Sequence, residues 1–331
     1  MPITSGGPAE KGVKFGSIYR NGSSQLFSTA ARYLIAHGIR VFRLRCQNQN
    51  PTPGCYARPV MLHIAARPCA QALAPFVASF HYHEGELAAT VERILPTGQV
   101  HLMVNLDEDE FRTYSGLDCA TVHRTDGAVL AGPHGRSTAI DTREQRRLIA
   151  VEFKLGGAAA FLRMPISEAC DQVVELDNVW GGDGGLLRER LCEVPTPIAK
   201  FRVLEAVLRK RLVRPWDPAI AAAISLLDSG ASVAEARSRV GLLPKTFVRR
   251  FREQVGLAPK RFSRVRRLQS IVGAVRRPAD VDWCMVAAEH GYTDQAHFIH
   301  DFRDLTGITP TAYCPPSPQR RNHVPLTAPA K

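Results

Sequence analysis

The chain has 331 residues, of which 45% are hydrophobic, and 43 Lys and Arg against 31 Asp and Glu give a formal net charge of +12. A chain of this length is expected to form about two domains, each with its own hydrophobic core. It has no apolar run of about 18 residues and no continuous apolar core in its first thirty residues, so we expect a cytoplasmic protein without transmembrane helix or secretory signal.

Residues 1–60 hold a single apolar stretch, 30–42, between a Gly/Ser/Lys-rich opening and the polar run 47–54. Such a segment has few apolar residues with which to build a core. Sustained patterning begins only near Met61. We therefore predict a poorly ordered and dispensable extension at 1–60, which belongs either to the native protein or to a misassigned start.

Residues 61–212 are predicted to form a mainly β (α+β) sensor domain with helices at its C-terminal end. Short alternating or β-branched runs, separated by turn signals, indicate strands at 76–82, 89–95, 100–106 and 148–154. Short helices are expected at 157–164 and 165–171. The segment 186–212 carries a helical period, and we take it as the best candidate for a dimerisation surface.

Residues 216–314 read as an all-α domain, because helical stretches of about 8 to 15 residues alternate with glycines. The positive charge is concentrated here. Between Arg237 and Arg277 there are 13 Lys and Arg and one acid, Glu253, so this stretch carries a net charge of 13 − 1 = +12, as large as that of the whole chain. Such a concentration indicates a nucleic-acid partner. The proline-rich remainder, 315–331, is predicted to be a flexible tail.

The all-α domain contains a repeat with an offset of 51 residues. The matching positions are Phe247, Phe251, Arg252, Gly256, Pro259 and Phe262 in the first copy and Phe298, Phe302, Arg303, Gly307, Pro310 and Tyr313 in the second. Upstream of each copy a helix ends in glycine, Gly241 or Gly291. Each unit is therefore predicted to be a helix, a tight turn and a second helix, which is the helix-turn-helix arrangement.

In the first copy, 232–235 form a capping box and Pro244 suits the first position of the second helix. Phe247 and Phe251, four residues apart, are expected to face the core. The opposite, basic face then carries Lys245, Val248, Arg249 and Arg252.

In the second copy, Thr293 is the predicted cap, and Phe298, Phe302 and Leu305 are expected to face inward. The outer face carries Gln295 at its leading edge, then Ala296, Ile299, His300 and Arg303. Ordinary amphipathic helices with solvated charges would explain each helix alone. They do not explain why the unit is duplicated or why both copies end in Gly-x2-Pro.

At these residues the sequence resembles the AraC/XylS family of bacterial transcription regulators. The match runs Val286-Ala287-x3-Gly291-Tyr292-x-Asp294-Gln295-x-His297-Phe298-x3-Phe302-Arg303-x3-Gly307-x2-Pro310-x2-Tyr313. The resemblance covers about 216–314 and implies two helix-turn-helix units joined by a long helix, with their second helices in adjacent major grooves of double-stranded DNA. It also implies RNA polymerase and a small-molecule effector as partners and allows a homodimer; it leaves open activation or repression and the operator sequence.

Carried over by position, the resemblance implies two sets of DNA contacts. The base-reading candidates are Lys245, Val248 and Arg249 in the first unit and Gln295, Ala296, Ile299 and His300 in the second. The phosphate-contact candidates are Arg252, Lys260, Arg261 and Arg303. On the linking helix, Arg264, Arg266 and Arg267 are expected to neutralise phosphate or cover the domain surface.

The sensor region is similar, more weakly, to the sensor domain in a subgroup of these regulators whose effectors are largely unassigned. The residues that suggest this are Arg67-Pro68, Leu95-Pro96-Thr97-Gly98, Gly132-Pro133-His134, 151–158 and Val179-Trp180-Gly181. The resemblance implies a β-rich sensor and names no ligand.

Enzyme functions receive little support from the sequence. His81 and His83 would share one face of a strand, as in a metal site, but the sequence offers no third histidine or carboxylate at convincing spacing. The eight cysteines are scattered and form no C-x-x-C pair, so we expect reduced thiols, no metal and no cofactor. The alternative to a regulator is a nonspecific basic DNA-binding protein or an alkyl-acceptor DNA-repair protein.

Overall fold

The computed structural model describes residues 39–45, 60–85, 91–115, 121–213, 216–275 and 281–326. A β-rich N-terminal region is followed by a helical C-terminal domain, as predicted. The strands are β1 (Ile39–Arg45), β2 (Val60–Ala66), β3 (Val77–Glu84), β4 (Val91–Ile94), β5 (His101–Asn105), β6 (Glu110–Ser115), β7 (Thr121–Asp126), β8 (Ala128–Ala131), β9 (Thr138–Asp141), β10 (Arg147–Phe153), β11 (Val173–Glu175) and β12 (His323–Pro325). The helices are α1 (Leu176–Trp180), α2 (Asp183–Glu193), α3 (Pro197–Lys210), α4 (Pro218–Asp228), α5 (Val233–Arg239), α6 (Pro244–Val255), α7 (Pro259–Ala274), α8 (Trp283–Glu289) and α9 (Gln295–Thr306).

The strands form two antiparallel sheets. The first has the order β1-β2-β3-β10-β5-β8-β11 and the second the order β12-β4-β9-β6-β7. Alternation decides which side chains are buried: in β3, Phe80 and Tyr82 are buried in the core, whereas His81 and His83 lie on the other face. The strands predicted from local pattern match β3, β4, β5 and β10.

Helices α2 and α3 cover the core face of the first sheet. Leu191, Leu204 and Leu208 are almost completely buried, and Phe201 stacks on Phe80 of β3 at 5.7 Å between ring centroids. The apolar face of 186–212, predicted as a dimerisation surface, is therefore used mainly inside the chain. The two short helices predicted after residue 155 are 3-10 helices at Gly157–Phe161 and Ile166–Ala169.

Two segments predicted to lack structure contribute strands instead. β1 pairs with β2 along its whole length, from Ile39 opposite Ala66 to Arg45 opposite Val60, so the prediction of poor order for 1–60 is wrong here. Its β-branched and aromatic residues favour a strand, although polar sequence flanks them. The rest of the predicted extension, 1–38 and 46–59, lies outside the described residues.

The predicted flexible tail is also wrong over most of its length. After Tyr313 the chain returns to the sensor region, forms a 3-10 helix at Pro318–Arg320 and adds β12 to β4, with His323 opposite Ile94. Arg320 and His323 both contact the carboxylate of Glu92, whose side chain is 4% exposed. A contact across more than 200 residues of sequence is invisible to local patterning. Residues 327–331 lie outside the described part of the chain.

The aromatic residues of the 51-residue repeat lie in the core of the C-terminal domain. Its largest fully buried side chains are Phe247, Phe251, Phe262, Phe298, Phe302 and Tyr313. These are the aromatic positions of the repeat, so each copy contributes the same part of the core. Within the described ranges no helix is both long and apolar enough to cross a bilayer.

Candidate nucleic-acid interface

The first helix-turn-helix unit consists of α5, a turn at Gly241 and α6. The Ser232 hydroxyl accepts a hydrogen bond from the backbone N–H of Glu235 at 3.1 Å, which confirms the predicted cap of α5. Gly241 has a φ of +67°, a conformation that a residue with a Cβ rarely adopts. The chain can therefore turn sharply into α6, where Pro244 occupies the first turn as predicted.

Helix α6 has one buried face and one exposed face, as the spacing of its residues predicts. Phe247 and Phe251 are 1% and 0% exposed, and their rings lie 5.7 Å apart between centroids. The outward side chains, all exposed, are Lys245, Val248, Arg249 and Arg252. The base-reading candidates of this unit, Lys245, Val248 and Arg249, thus lie on one exposed face of α6. Their contacts with bases stay a prediction.

The second unit repeats this arrangement with α8, Gly291 and α9. The cap of α9 is Asp294, whose carboxylate accepts the backbone N–H of His297 at 2.7 Å, so the assignment of Thr293 as cap is wrong. Asp and Thr both suit a cap, and the helix begins one residue later than predicted. The predicted outward residues are all exposed: Gln295, Ala296, Ile299, His300 and Arg303.

Helix α7 joins the two units as one continuous helix of 16 residues. At 1.5 Å per residue it spans roughly 24 Å. Phe262, Val265 and Leu268 are at most 1% exposed and anchor the helix in the core. This helix is therefore a rigid element between the units; residues 276–280, which follow it, lie outside the described part of the chain.

Three arginines of α7 are tied to neighbouring side chains. Arg264 Nε donates to Asp301 at 2.6 Å and its Nη2 to Asp304 at 2.7 Å. Arg266 pairs with Asp228, and the Arg267 guanidinium lies 4.9 Å from the centroid of the Tyr292 ring. Of the two roles expected for these arginines, neutralising phosphate or covering the domain surface, the contacts favour the second, for Arg264 above all.

Two family models match separate parts of the chain. Residues 66–175 match a family described as a domain of unknown function (DUF6597), and residues 237–314 match a helix-turn-helix domain family. The C-terminal domain is an AraC-type helix-turn-helix domain. Domains of this type are the DNA-binding parts of transcription regulators. No curated protein matches the chain.

Among solved structures, the chain is similar to ToxT from Vibrio cholerae. An apo variant of ToxT is 10% identical, with 71% of this chain and 96% of that chain covered and a TM-score of 0.39. A further ToxT structure is 9% identical, covering 71% and 97%, with a TM-score of 0.38. A ToxT structure bound to an unsaturated fatty acid is 10% identical, covering 70% and 94%, with a TM-score of 0.35.

Much of the positive charge of the AraC-type domain is paired. Ion pairs within the described residues join Arg239 to Glu235, Arg249 to Glu253, Arg250 to Asp217, Arg261 to Asp171, Arg264 to Asp301 and Asp304, and Arg266 to Asp228. The exposed cations Lys245, Arg252 and Lys260 have no acidic partner among the residues that the structure describes. The charge that remains for phosphate is therefore smaller than the sequence suggests; it includes Lys245 and Arg252 on α6, Lys260 at the start of α7 and the exposed Arg303 on α9.

The sensor region packs directly against α6. A Cβ added to Gly256, at the end of α6, would lie 2.4 Å from Pro133 and 2.8 Å from Ile166, so only glycine fits this contact. Pro165 and Ser167 form one wall of an open cleft of about 680 Å³. The other wall is the outward face of α6, with Lys245, Val248, Arg249 and Arg252. The AraC-type domain thus has a sensor loop alongside the surface predicted to read bases.

A row of polar residues crosses the first sheet. His63 on β2 lies opposite His83 on β3, with ring centroids 4.2 Å apart, and its Nε2 lies 3.1 Å from Nδ1 of His81. His81 Nε2 lies 3.1 Å from the carboxylate of Glu152 on β10. His63 and Glu152 are the partners that the sequence did not reveal for His81 and His83, because strand register, not spacing, brings them together.

Burial controls the charge of this row. Desolvation lowers the pKa of His63 to about 4 and that of His83 to about 3, so both imidazoles are neutral near pH 7. The hydrogen bond with His81 outweighs desolvation and lowers the pKa of Glu152 to about 2. Among the described residues no group of three His, Cys, Asp or Glu is arranged to hold a metal ion.

Proposed function

We propose that the protein is a sequence-specific, effector-responsive transcription regulator that reads two adjacent major grooves with α6 and α9. The observation that supports this best is the duplicated unit: two recognition helices with equivalent exposed faces, joined by one rigid 16-residue helix. A recognition helix places its outward side chains against base edges. The base-reading set of the proposal is Lys245, Val248, Arg249, Gln295, Ala296, Ile299 and His300.

Phosphate contacts are proposed for Arg252, Lys260, Arg261 and Arg303. Arg252, Lys260 and Arg303 are exposed, and Arg252 and Lys260 lack an acidic partner within the described chain, so they can reach a phosphate without breaking an ion pair. Arg261 is the exception, because it is paired with Asp171. Contacts to phosphate fix the register of the protein on DNA and do not distinguish sequences.

Replacing Arg249 with alanine is expected to weaken binding to the operator by about 1–3 kcal/mol and to relax the preference at one base pair. The loss of its pair with Glu253 adds little, because these side chains are 64% and 40% exposed. The measurement is a titration of operator and random DNA by fluorescence anisotropy.

Arg252→Ala is the matched control for Arg249, one turn further along the same exposed face. It should weaken binding to operator and random DNA alike and reduce the salt slope by about one. An Arg249→Ala variant that loses operator and random DNA binding equally would contradict its assignment as a base reader.

The rigid spacer predicts a fixed distance between the two half-sites. Helix α7 spans roughly 24 Å, and half of a helix-turn-helix unit is added at each of its ends. The recognition helices would then lie about one DNA turn apart, near 34 Å. The operator should thus hold two short motifs about 10 base pairs apart, and inserting five base pairs between them should abolish specific binding. Sequencing the genomic DNA that co-purifies with the protein would supply the operator.

Insertion of ten base pairs is the milder change and serves as the control. It returns the two motifs to the same face of the DNA but increases the distance between them by about one turn. Specific binding that survives the five-base-pair insertion would contradict joint docking of the two units. A preference for the operator over random DNA far below roughly 10³ at physiological salt would favour a nonspecific DNA-binding or repair protein instead.

The effector is proposed to act through the β-rich region, where the half-buried row of His63, His81, His83 and Glu152 offers hydrogen-bonding groups. Its identity is open, as is the choice between activation and repression. RNA polymerase and a second copy of the chain are proposed as partners by analogy with the AraC/XylS family.

A further inference from the structure

An ion pair joins Asp171, in the sensor loop at 165–171, to Arg261 at the start of α7, and the backbone at Asp171 is unusual. Asp171 has a φ of +58°, the only left-handed non-glycine conformation among the described residues. Its Oδ2 accepts a hydrogen bond from Arg261 Nη1 at 2.7 Å, and its Oδ1 accepts the backbone N–H of Gly135 at 2.7 Å. Its own N–H donates to the carbonyl of Pro133 at 3.2 Å.

The surroundings of Arg261 are shaped to receive this contact. A Cβ on Gly135 would lie 2.0 Å from Arg261 Nε, so the guanidinium lies across bare backbone. The side chains of Asp171 and Arg261 are 35% and 33% exposed. The pair is therefore firmly positioned but lies close enough to solvent for another anion to reach it.

A carboxylate and a phosphate offer an arginine the same kind of partner, because both present anionic oxygens to its N–H groups. Arg261 is one of the proposed phosphate contacts, and Asp171 occupies its Nη1 and offsets its charge, so a phosphate must displace Asp171 to make the same contact. The same sensor loop, through Pro165 and Ser167, also walls the cleft beside Lys245 and Val248. The surface of the first unit that the sensor loop contacts thus overlaps the surface proposed to bind DNA.

We propose that Asp171 acts as a phosphate mimic, so that docking of the sensor loop and binding of DNA compete for Arg261. This inference rests on the proposed function and assigns a means of regulating the same surface. DNA binding would release Asp171 from Arg261, and an effector that stabilises the docked loop would weaken DNA binding.

The test is Asp171→Asn in the full-length chain, titrated with operator DNA. Asparagine keeps the size of the side chain and tolerates the left-handed backbone, but it removes the charge that holds Arg261. Operator affinity should rise roughly threefold to fivefold, the range expected for a partly exposed ion pair. Glu168→Gln is the matched control, because it removes an exposed acid of the same loop that has no hydrogen bond or ion pair with Arg261.

A double-mutant cycle separates competition from a general change in charge. In an Arg261→Gln background, Asp171→Asn should leave operator affinity unchanged, because the competing pair is already absent. An equal rise for Asp171→Asn and Glu168→Gln, or a rise that persists without Arg261, would overturn the proposal. No rise for Asp171→Asn would overturn it as well.

Cys170 gives a second readout that does not depend on affinity. Its sulfur lies 3.5 Å from Asp171 Oδ2, and burial raises the pKa of its thiol to about 11. Release of the loop by saturating operator DNA should speed alkylation of Cys170 by iodoacetamide, followed residue by residue by mass spectrometry. An unchanged rate would show that the loop stays docked. If the wild-type chain binds no DNA at all, the proposed function fails, which is distinct from a wild type that binds and is indifferent to Asp171.

Discussion

Arg264→Ala is expected to lower the free energy of unfolding of the AraC-type domain by roughly 3 kcal/mol. A residue that only contacted DNA phosphate would leave this free energy unchanged in the absence of DNA. Asp301, with a side chain that is 8% exposed, accepts hydrogen bonds from Arg264 and from the hydroxyl of Tyr292 at 2.8 Å. Removing the arginine leaves a buried carboxylate without its counter-charge. The hydrogen bond from Arg264 also holds the pKa of Asp304 below its usual range.

Urea denaturation followed by circular dichroism would measure this loss. Arg239→Ala is the control, because its pair with Glu235 is 62% and 47% exposed and should contribute less than about 1 kcal/mol. The double variant Arg264→Ala, Asp301→Asn should recover part of the stability, since the amide still accepts from Tyr292 without a buried charge. A stable Arg264→Ala protein that only binds DNA more weakly would restore the role predicted from sequence.

Deletion of residues 315–331 is expected to destabilise the protein by roughly 4 kcal/mol or more. It removes β12, the buried side chain of Val324, and both partners of the buried Glu92 carboxylate. It also removes Asn322, whose side-chain oxygen accepts a hydrogen bond from Gln269 of α7 at 3.0 Å. Thermal unfolding would measure the effect.

Deletion of residues 327–331 is the control, because it removes none of the contacts described here. It should leave the melting temperature within about one degree of wild type, because β12 and both partners of Glu92 are retained. Equal melting temperatures for the two deletions would show that the tail does not stabilise the sensor sheet.

The helical domain could be predicted from sequence because its signals are local. The spacing of Phe247 and Phe251, the cap at Ser232 and the turn at Gly241 each act within a few residues. The cap of α9 was assigned to Thr293 where the structure has Asp294, an error of one residue between two good capping residues. Burial of Phe247, Phe251, Phe298 and Phe302 then follows from the helical period.

The remainder depends on contacts that no local pattern encodes. β12 is a strand because β4 offers an edge to it, and Glu92 is buried with partners from the opposite end of the chain. Register likewise brings His63 and Glu152 to His81. Charge counting overstated the cationic surface because acids such as Asp171 and Asp217, distant in sequence, pair with its arginines.

The return of the chain to β4 changes how the AraC-type domain can move. Its entry is anchored where the N–H of Val213 donates to the carbonyl of Ala160 at 2.9 Å, and its exit where the N–H of Leu95 donates to Asn322 at 2.8 Å. A domain attached at both of its ends cannot swing away on a single flexible linker, so its motion relative to the β-rich region is more restricted than that of a domain tethered once. In connectivity it therefore resembles a domain inserted into the β-rich region.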